Sequence, residues 1–271
     1  MKFFFLILFL HFMLISVIHA QKDSNFHLVK SIKLQATDFA LDNLNNLYIL
    51  SSTDQLKKFN EAGDSIAVYN DVRRFGKLYS IDVTNPLKIL LYYKDFSTIV
   101  ILDRLLSVRA SVDLRKQNIA QATAAGSSYD NNIWIFDAID NKLKKIDENS
   151  NLLLETVDFR TVFEEPFAPQ KILDINGSVH LYDSAVGLLS FDHYGSFQKK
   201  YPLAKWQNIS VFDKNIAGIY NNNIILYNTS NLMQKRYQFP SSFGSFNQYI
   251  IGSTRLFTLT KDSVNIYTFR F

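Results

Sequence analysis

The chain has 271 residues, a formal charge of +4 at neutral pH and no cysteine. Lack of cysteine excludes a disulfide scaffold, a thiolate metal centre and anchoring through an N-terminal lipidated cysteine. Lys and Arg are scattered, with small clusters at Lys57-Lys58, Arg73-Arg74, Lys144-Lys145 and Lys199-Lys200 in or beside alternating strands. These read as solvated edges, not as the one-sided basic patch of a nucleic-acid binder.

The first twenty residues read as a secretory signal peptide. Lys2 precedes an apolar run, Phe3 to Ile18, broken only by His11 and Ser16, and Ile18-His19-Ala20 offers a small residue before Gln21. An uncleaved anchor is the rival reading, but the run is shorter than the ~20 apolar residues of a spanning helix. No other segment is apolar and long enough to cross a bilayer. Cleavage leaves residues 21–271, expected as a single domain. Export without cysteine suits a bacterial periplasm, so the Asn-x-Ser triplets at Asn176, Asn208 and Asn228 are taken as turn composition.

The alternating strand Phe26 to Leu34 comes next, and after it a repeat. "LDNLNNLYILSSTDQLKKFNEAGDSIAVY" from Leu41 and "YDNNIWIFDAIDNKLKKIDENSNLLLETV" from Tyr129 share one plan: an Asp-Asn turn, an apolar strand, a polar turn, a Leu-Lys-Lys strand, a polar turn and a strand. Thr84 onward and Ile175 onward repeat it, and weaker copies run from Asn208 and Phe246. In the second copy, the runs within "IDVTNPLKILLYYKDFSTIVILD" are two neighbouring inner strands. Leu114 to Ala125 is the one stretch with a possible helical turn, read as a loop entering an inner strand. The second strands centre near Leu47, Ile89, Ile133, Val179, Ala217 and Phe257. Four short strands every 40–45 residues is the spacing of propeller blades. The last copy lacks one strand, and Phe26 to Leu34 supplies it. The expected fold is therefore all-β, a six-bladed β-propeller whose N-terminal strand closes the last blade.

Asp42, Asn46, Tyr48, Leu56, Phe59 and Gly63 match in order the NHL-type propeller repeat, which this unit resembles and which commonly forms six blades. Asn85-Pro86-Leu87-Lys88 and Tyr92-Tyr93-Lys94-Asp95, with the unit before them, resemble a family of exported propeller-like proteins of Bacteroidota. That family includes the plug subunit of the type IX secretion translocon. The resemblance implies a non-catalytic periplasmic propeller that docks, as a monomer, on an outer-membrane protein complex of secretion or assembly.

Candidate chemistry is sparse. His27, His180 and His193 are not at metal-ligand spacing, and the chain has no nucleophile elbow or P-loop. Asp42, Asp82 and Asp174 recur at one repeat position. They read more simply as acceptors for turn amides than as a Ca²⁺ ring. No cofactor, metal or catalytic residue is assigned. Tyr92, Tyr93 and Trp206 are a possible sugar-stacking stripe, though the 23 Phe and 14 Tyr are mainly expected between blades. Partner binding is assigned to two loops: Arg73, Arg74 and Phe75, and Asn85, Pro86 and Lys88. The alternatives are a Ca²⁺-dependent lactonase-like or lyase-like enzyme and a carbohydrate-binding module.

Overall fold

Strands of four to six residues, apolar on both sides and punctuated by Asn, Asp and Gly, cannot bury both faces within one sheet. They must stack face to face, and a ring of sheets does this for every face. A computed structural model describes residues 26–240, 243 and 248–269; the leader over residues 1–20 lies outside them.

After β1 (Phe26–Lys33), blade 1 consists of β2 (Ala36–Leu41), β3 (Leu47–Ser51), β4 (Leu56–Phe59) and β5 (Ser65–Tyr69). Blade 2 has β6 (Ser80–Asn85), β7 (Lys88–Tyr93), β8 (Thr98–Leu102) and β9 (Val108–Asp113). Blade 3 has β10 (Ala122–Ser127), β11 (Ile133–Asp137), β12 (Lys142–Ile146) and β13 (Leu152–Glu155). Blade 4 has β14 (Lys171–Ile175), β15 (Ser178–Asp183), β16 (Gly187–Phe191) and β17 (Phe197–Tyr201). Blade 5 has β18 (Gln207–Phe212), β19 (Asn215–Tyr220), β20 (Asn223–Asn228) and β21 (Gln234–Gln238). Blade 6 joins β22 (Gln248–Ile251), β23 (Arg255–Leu259) and β24 (Ser263–Phe269) to β1 in the order β1-β24-β23-β22.

All neighbours within a blade are antiparallel. The first-to-second and third-to-fourth turns therefore emerge on one side of the ring, the turn face. The second-to-third turns and the links between blades emerge on the other, the connection face. The inner strands β2, β6, β10, β14, β18 and β22 touch in sequence and β22 returns to β2, so the ring is closed. The six expected strand centres all fall on second strands.

The core is divided into six wedges, each formed by two neighbouring blades. Strand β7 shows why the apolar runs are continuous. Ile89, Leu91 and Tyr93 pack toward blade 1, and Leu90 and Tyr92 toward blade 3. A middle strand buried on both faces needs no polar alternation. The first of the two runs in blade 2 is thus β7 and the second β8, the middle strands of the sheet; β6 is innermost. Leu114–Gln117 is a single 3₁₀ turn leading to inner strand β10.

The third-to-fourth turns recur as a motif. Asp103, Asp147 and Asp192 each accept backbone N–H bonds from the residues two and four positions on. The fourth residue of these turns is left-handed, Leu106 (φ 63°), Ser150 (70°) and Gly195 (82°), as is Gly63 (80°) in the matching turn that starts at Asn60. Glycine holds this conformation without steric cost; buried Leu106 holds it because its side chain fills the wedge between blades 1 and 2.

One expectation is overturned. Lys58, Lys144 and Lys145 are buried, not solvated. Their stems lie between blades and each ammonium ends on a fixed partner. Lys58 Nζ donates to the Arg104 carbonyl (2.9 Å), Lys144 to Asp137 (2.8 Å) and Asp140, and Lys145 to Asp130 (2.9 Å). A long aliphatic stem with a paired head is compatible with burial.

The seam is β1 on β24, with Phe26 opposite Phe269 and Lys33 opposite Ser263. The rings of Phe26 and Phe269 stack at 4.5 Å, and Tyr237 meets Phe269 edge-on at 5.0 Å. Phe269→Ala is expected to cost about 3–5 kcal/mol in denaturant unfolding. Deletion of Phe26–Leu34 is expected to produce an aggregating or much less stable protein, since β24 becomes an open edge. An unchanged unfolding midpoint in the deletion would contradict closure by this strand.

Candidate functional site

The densest polar cluster lies on the turn face between blades 3 and 4. Asp174, near the end of β14, has a buried side chain. Its Oδ2 accepts from Tyr129 N (3.0 Å), Ser128 Oγ (3.2 Å) and Trp134 Nε1 (2.9 Å), all in blade 3. Its Oδ1 lies 2.9 Å from Nε2 of His193, whose ring stacks on exposed Tyr129 at 3.8 Å. Lys145 Nζ sits 4.8 Å from the Trp134 ring centre and pairs with Asp130. Partial burial would raise the Asp130 carboxyl, but hydrogen bonds from Lys145, Ser128 and Asn132 outweigh it and hold the group at about 2. Behind the cluster, His180 Nδ1 lies 2.6 Å from Ser190 Oγ. Burial pushes His180 down to about 4 despite nearby Asp174, so it is neutral at neutral pH.

Of the three aspartates at the matching repeat position, Asp42 serves its own turn, accepting from Leu44 N (2.9 Å) and Asn46 N (2.8 Å). Asp82 does both, accepting from Thr84 N of its own turn at Oδ1 (2.8 Å) and from Ser127 N of the neighbouring blade at Oδ2 (2.5 Å), whereas Asp174 reaches the Tyr129 amide of the neighbouring blade. Among the described residues, no three His, Asp or Glu side chains converge as a metal site.

A second polar group lies on the inner strands: Asp38 on β2, Asp82 on β6, Lys171 on β14 and Gln248 on β22. Gln248 Nε2 donates to Asp38 Oδ1 (2.7 Å), and Lys171 Nζ to the Ile209 carbonyl (2.8 Å). Lys171 keeps exposed surface yet is enclosed by protein on all sides, as a side chain inside a ring must be. Enclosure lowers its ammonium pKa against the pull of Asp82 and Asp38, and it raises the Asp38 carboxyl against Gln248, the Phe39 amide and Lys171.

The six residues assigned to partner binding do not form one surface. Arg73, Arg74 and Phe75 lie in the 3₁₀ turn Val72–Phe75 on the connection face. Arg73 pairs with Asp54 (2.5 Å), and Arg74 lies over the Phe75 ring at 5.4 Å. Asn85, Pro86 and Lys88 lie at the β6–β7 turn on the opposite face. There Asn85 Nδ2 donates to Asn131 Oδ1 (3.0 Å), and Lys88, only 2% exposed, pairs with Glu148 of blade 3 (2.9 Å). Tyr92, Tyr93 and Trp206 are buried in three interblade wedges, so they present no face to a sugar.

A feature not singled out beforehand is a triplet on the connection face: Asp71-Val72-Arg73, Asp113-Leu114-Arg115 and Asp158-Phe159-Arg160. Val72, Leu114 and Phe159 are buried, while the Arg side chains are 80%, 60% and 59% exposed. Asp113 and Asp158 each cap their 3₁₀ turn and hold the Arg two residues on (2.9 Å and 2.6 Å). The triplets sit at the blade period, which is the signal by which they can be found.

These features define a six-bladed β-propeller with polar clusters on both faces. No family model and no curated protein matches the chain. Solved propellers do. A catalytically inactive virginiamycin B lyase from Staphylococcus aureus is 12% identical, with 90% of this chain and 100% of that chain covered and a TM-score of 0.61. The Pan2 WD40 domain of Neurospora crassa is 9% identical, with 91% and 96% covered and a TM-score of 0.63. A Bacteroides fragilis protein whose export is inferred is 12% identical, with 92% and 97% covered and a TM-score of 0.57. At these identities the shared property is the fold.

His180 has a measurable consequence. Its folded pKa lies below the ordinary 6.5, so the unfolded chain binds the extra proton first as pH falls. Stability is therefore expected to drop between about pH 6.5 and pH 4, by up to about 3 kcal/mol. His180→Asn should flatten that part of the stability-pH curve from urea melts; an unchanged slope would show that other groups carry it.

Proposed function

We propose that this propeller is a non-catalytic protein-interaction module of the bacterial periplasm, docking by its connection face on an outer-membrane protein complex. The observation that carries the reading is the series Arg73, Arg115 and Arg160. Three exposed guanidinium groups are held at equivalent places on a rigid ring by neighbouring carboxylates, and each stands beside a buried anchor. Arg presented in fixed geometry is a frequent interface hot spot, because little side-chain entropy remains to be lost on binding. Arg74 and Phe75 extend the same surface. The resemblance of Asn85–Lys88 and Tyr92–Asp95 narrows the partner to the type IX secretion translocon, in which a disk of this size would occlude the periplasmic mouth of the pore.

Tagged protein recovered from solubilised outer membranes is expected to bring down a large β-barrel protein in stoichiometric amount. The Arg73→Glu/Arg115→Glu/Arg160→Glu protein, checked for an unchanged far-UV spectrum and melting temperature, is expected to lose most of it. Recovery of propeller alone, or equal recovery by the triple variant, would sink the docking reading.

One observation favours an enzyme as the second reading. Asp174 fixes Nε2 of a partly exposed histidine, the orientation a general base requires. Hydrolysis or elimination of a lactone or ester that falls at least 100-fold in His193→Ala would support it; turnover unaffected by that change, or none at all, removes the basis for it.

A further inference from the structure

One link between blades is longer than its counterparts. The chain from β13 to β14 runs over residues 156–170, against 70–79, 114–121 and 202–206 after blades 1, 2 and 4. Extra length in a loop of a rigid scaffold commonly serves binding. After the 3₁₀ turn Phe159–Thr161, the link continues along the connection face as Val162-Phe163-Glu164-Glu165-Pro166-Phe167.

This link borders a hollow of about 330 Å³ between blades 3 and 4. Val162, Phe163 and Phe167 line it from the link, and Val186, in the β15–β16 turn, and Leu189, on β16, line it from blade 4. Glu164, Glu165 and Lys200 complete the lining. Phe167 and Leu189 are buried members of the core, so the floor of the hollow is the wedge itself. Phe163 meets Phe159 edge-on at 5.2 Å and Phe197 at 5.1 Å, and both Val162 and Phe197 are exposed. The walls are fixed in place. Phe163 N donates to the Phe159 carbonyl (2.8 Å), Ala168 N donates to Asp183 (2.8 Å), and Pro166 and Pro169 restrict the backbone between and beyond them. A link pinned in this way holds the hollow open.

We infer that this hollow seats one large apolar side chain of a partner peptide that carries Lys or Arg next to it. Ligand pockets start at about 300 Å³, so the space suits a bulky side chain and not a large cofactor. Its lining is apolar inside and acidic around. Glu165 and Lys200 form an exposed pair (2.7 Å), while Glu164 is exposed and has no ion pair among the described residues. Nearby Arg160 is matched by Asp158 and does not offset it. Two acids against one lysine complement a basic segment and disfavour nucleic acid or an anionic bilayer. A preformed pocket that takes a single anchor is where binding energy concentrates in an interface. The inference rests on the reading of the connection face as an interaction surface, and it gives the partner segment its chemistry.

The test is selection of phage-displayed random peptides on the immobilised purified protein. Peptides with Phe, Leu or Trp beside Lys or Arg are expected to be enriched. A selected peptide, synthesised with a fluorescent label, should bind Val162→Asp and Glu164→Lys roughly tenfold or more weakly in anisotropy titrations. Asp95→Lys makes the same charge change as Glu164→Lys on the same face, at blade 2, and should leave binding intact. Val162, Glu164 and Asp95 are all exposed, so the variants are expected to melt with the parent protein. No enrichment, a consensus lacking either the apolar anchor or the basic residue, or equal binding by the Val162 and Glu164 variants would overturn the inference. So would a dimer that forms with rising concentration and disappears in Val162→Asp, which would give the hollow to a second copy of the chain. A β-barrel protein recovered from membranes with no peptide selected would remove this inference alone. Peptides selected with no barrel recovered would support it and remove only the outer-membrane partner.

Discussion

The antiparallel pairing of β1 with β24 joins the start of the described ring to its end, and the remaining architecture depends on it. Each wedge of core is shared by two blades, so no blade is a complete hydrophobic unit. Without the seam, the packing between blades 5 and 6 would lose Phe26, and β24 would offer its backbone to any passing strand. The closing strand is longer than most others in the ring and is anchored by an aromatic stack at one end. A closed ring has no free edge between its first and last blades, and this fixes the positions of the loops on both faces.

Polar side chains lock neighbouring blades at defined angles. Asp82, Lys88, Asp174 and Lys171 each reach from an inner or second strand to a backbone or side-chain group of an adjacent blade. Apolar wedges are tolerant of rotation, whereas a buried charge left without its partner is costly. Buried Lys58 and Lys88, whose partners lie in the adjacent blade, therefore act as registration pins.

The fold was legible in the sequence because its repeat is periodic in space as well as along the chain. Strand centres, blade number and the role of Phe26–Leu34 all follow from spacing and turn chemistry. The polar clusters were less legible. Asp174 was visible as a repeat position, but its contacts with Ser128, Tyr129 and Trp134 join residues 40 to 46 positions apart, across a blade boundary. Lys88 and Lys145 look like surface residues in one dimension and become buried only when the adjacent blade closes over them. The two loops chosen for binding lie on opposite faces for a reason the alternation of strand direction already contained: one follows an outer strand and the other an inner strand. The Asp-apolar-Arg triplets were present at the right interval, yet three residues against a background of many Asp and Arg give a weak signal until the shared 3₁₀ turn is seen.

The two ends of the seam have a mechanical consequence. Phe26 and Phe269 face each other at the same end of an antiparallel ladder, so a pull applied to the two chain ends loads its hydrogen bonds one after another, as a zipper, and not all together in shear. Such a ring resists heat through its whole core but yields at low force when drawn apart from its termini. A molecular motor gripping one end while the other is held would open blade 6 first and unwind the remaining blades in order.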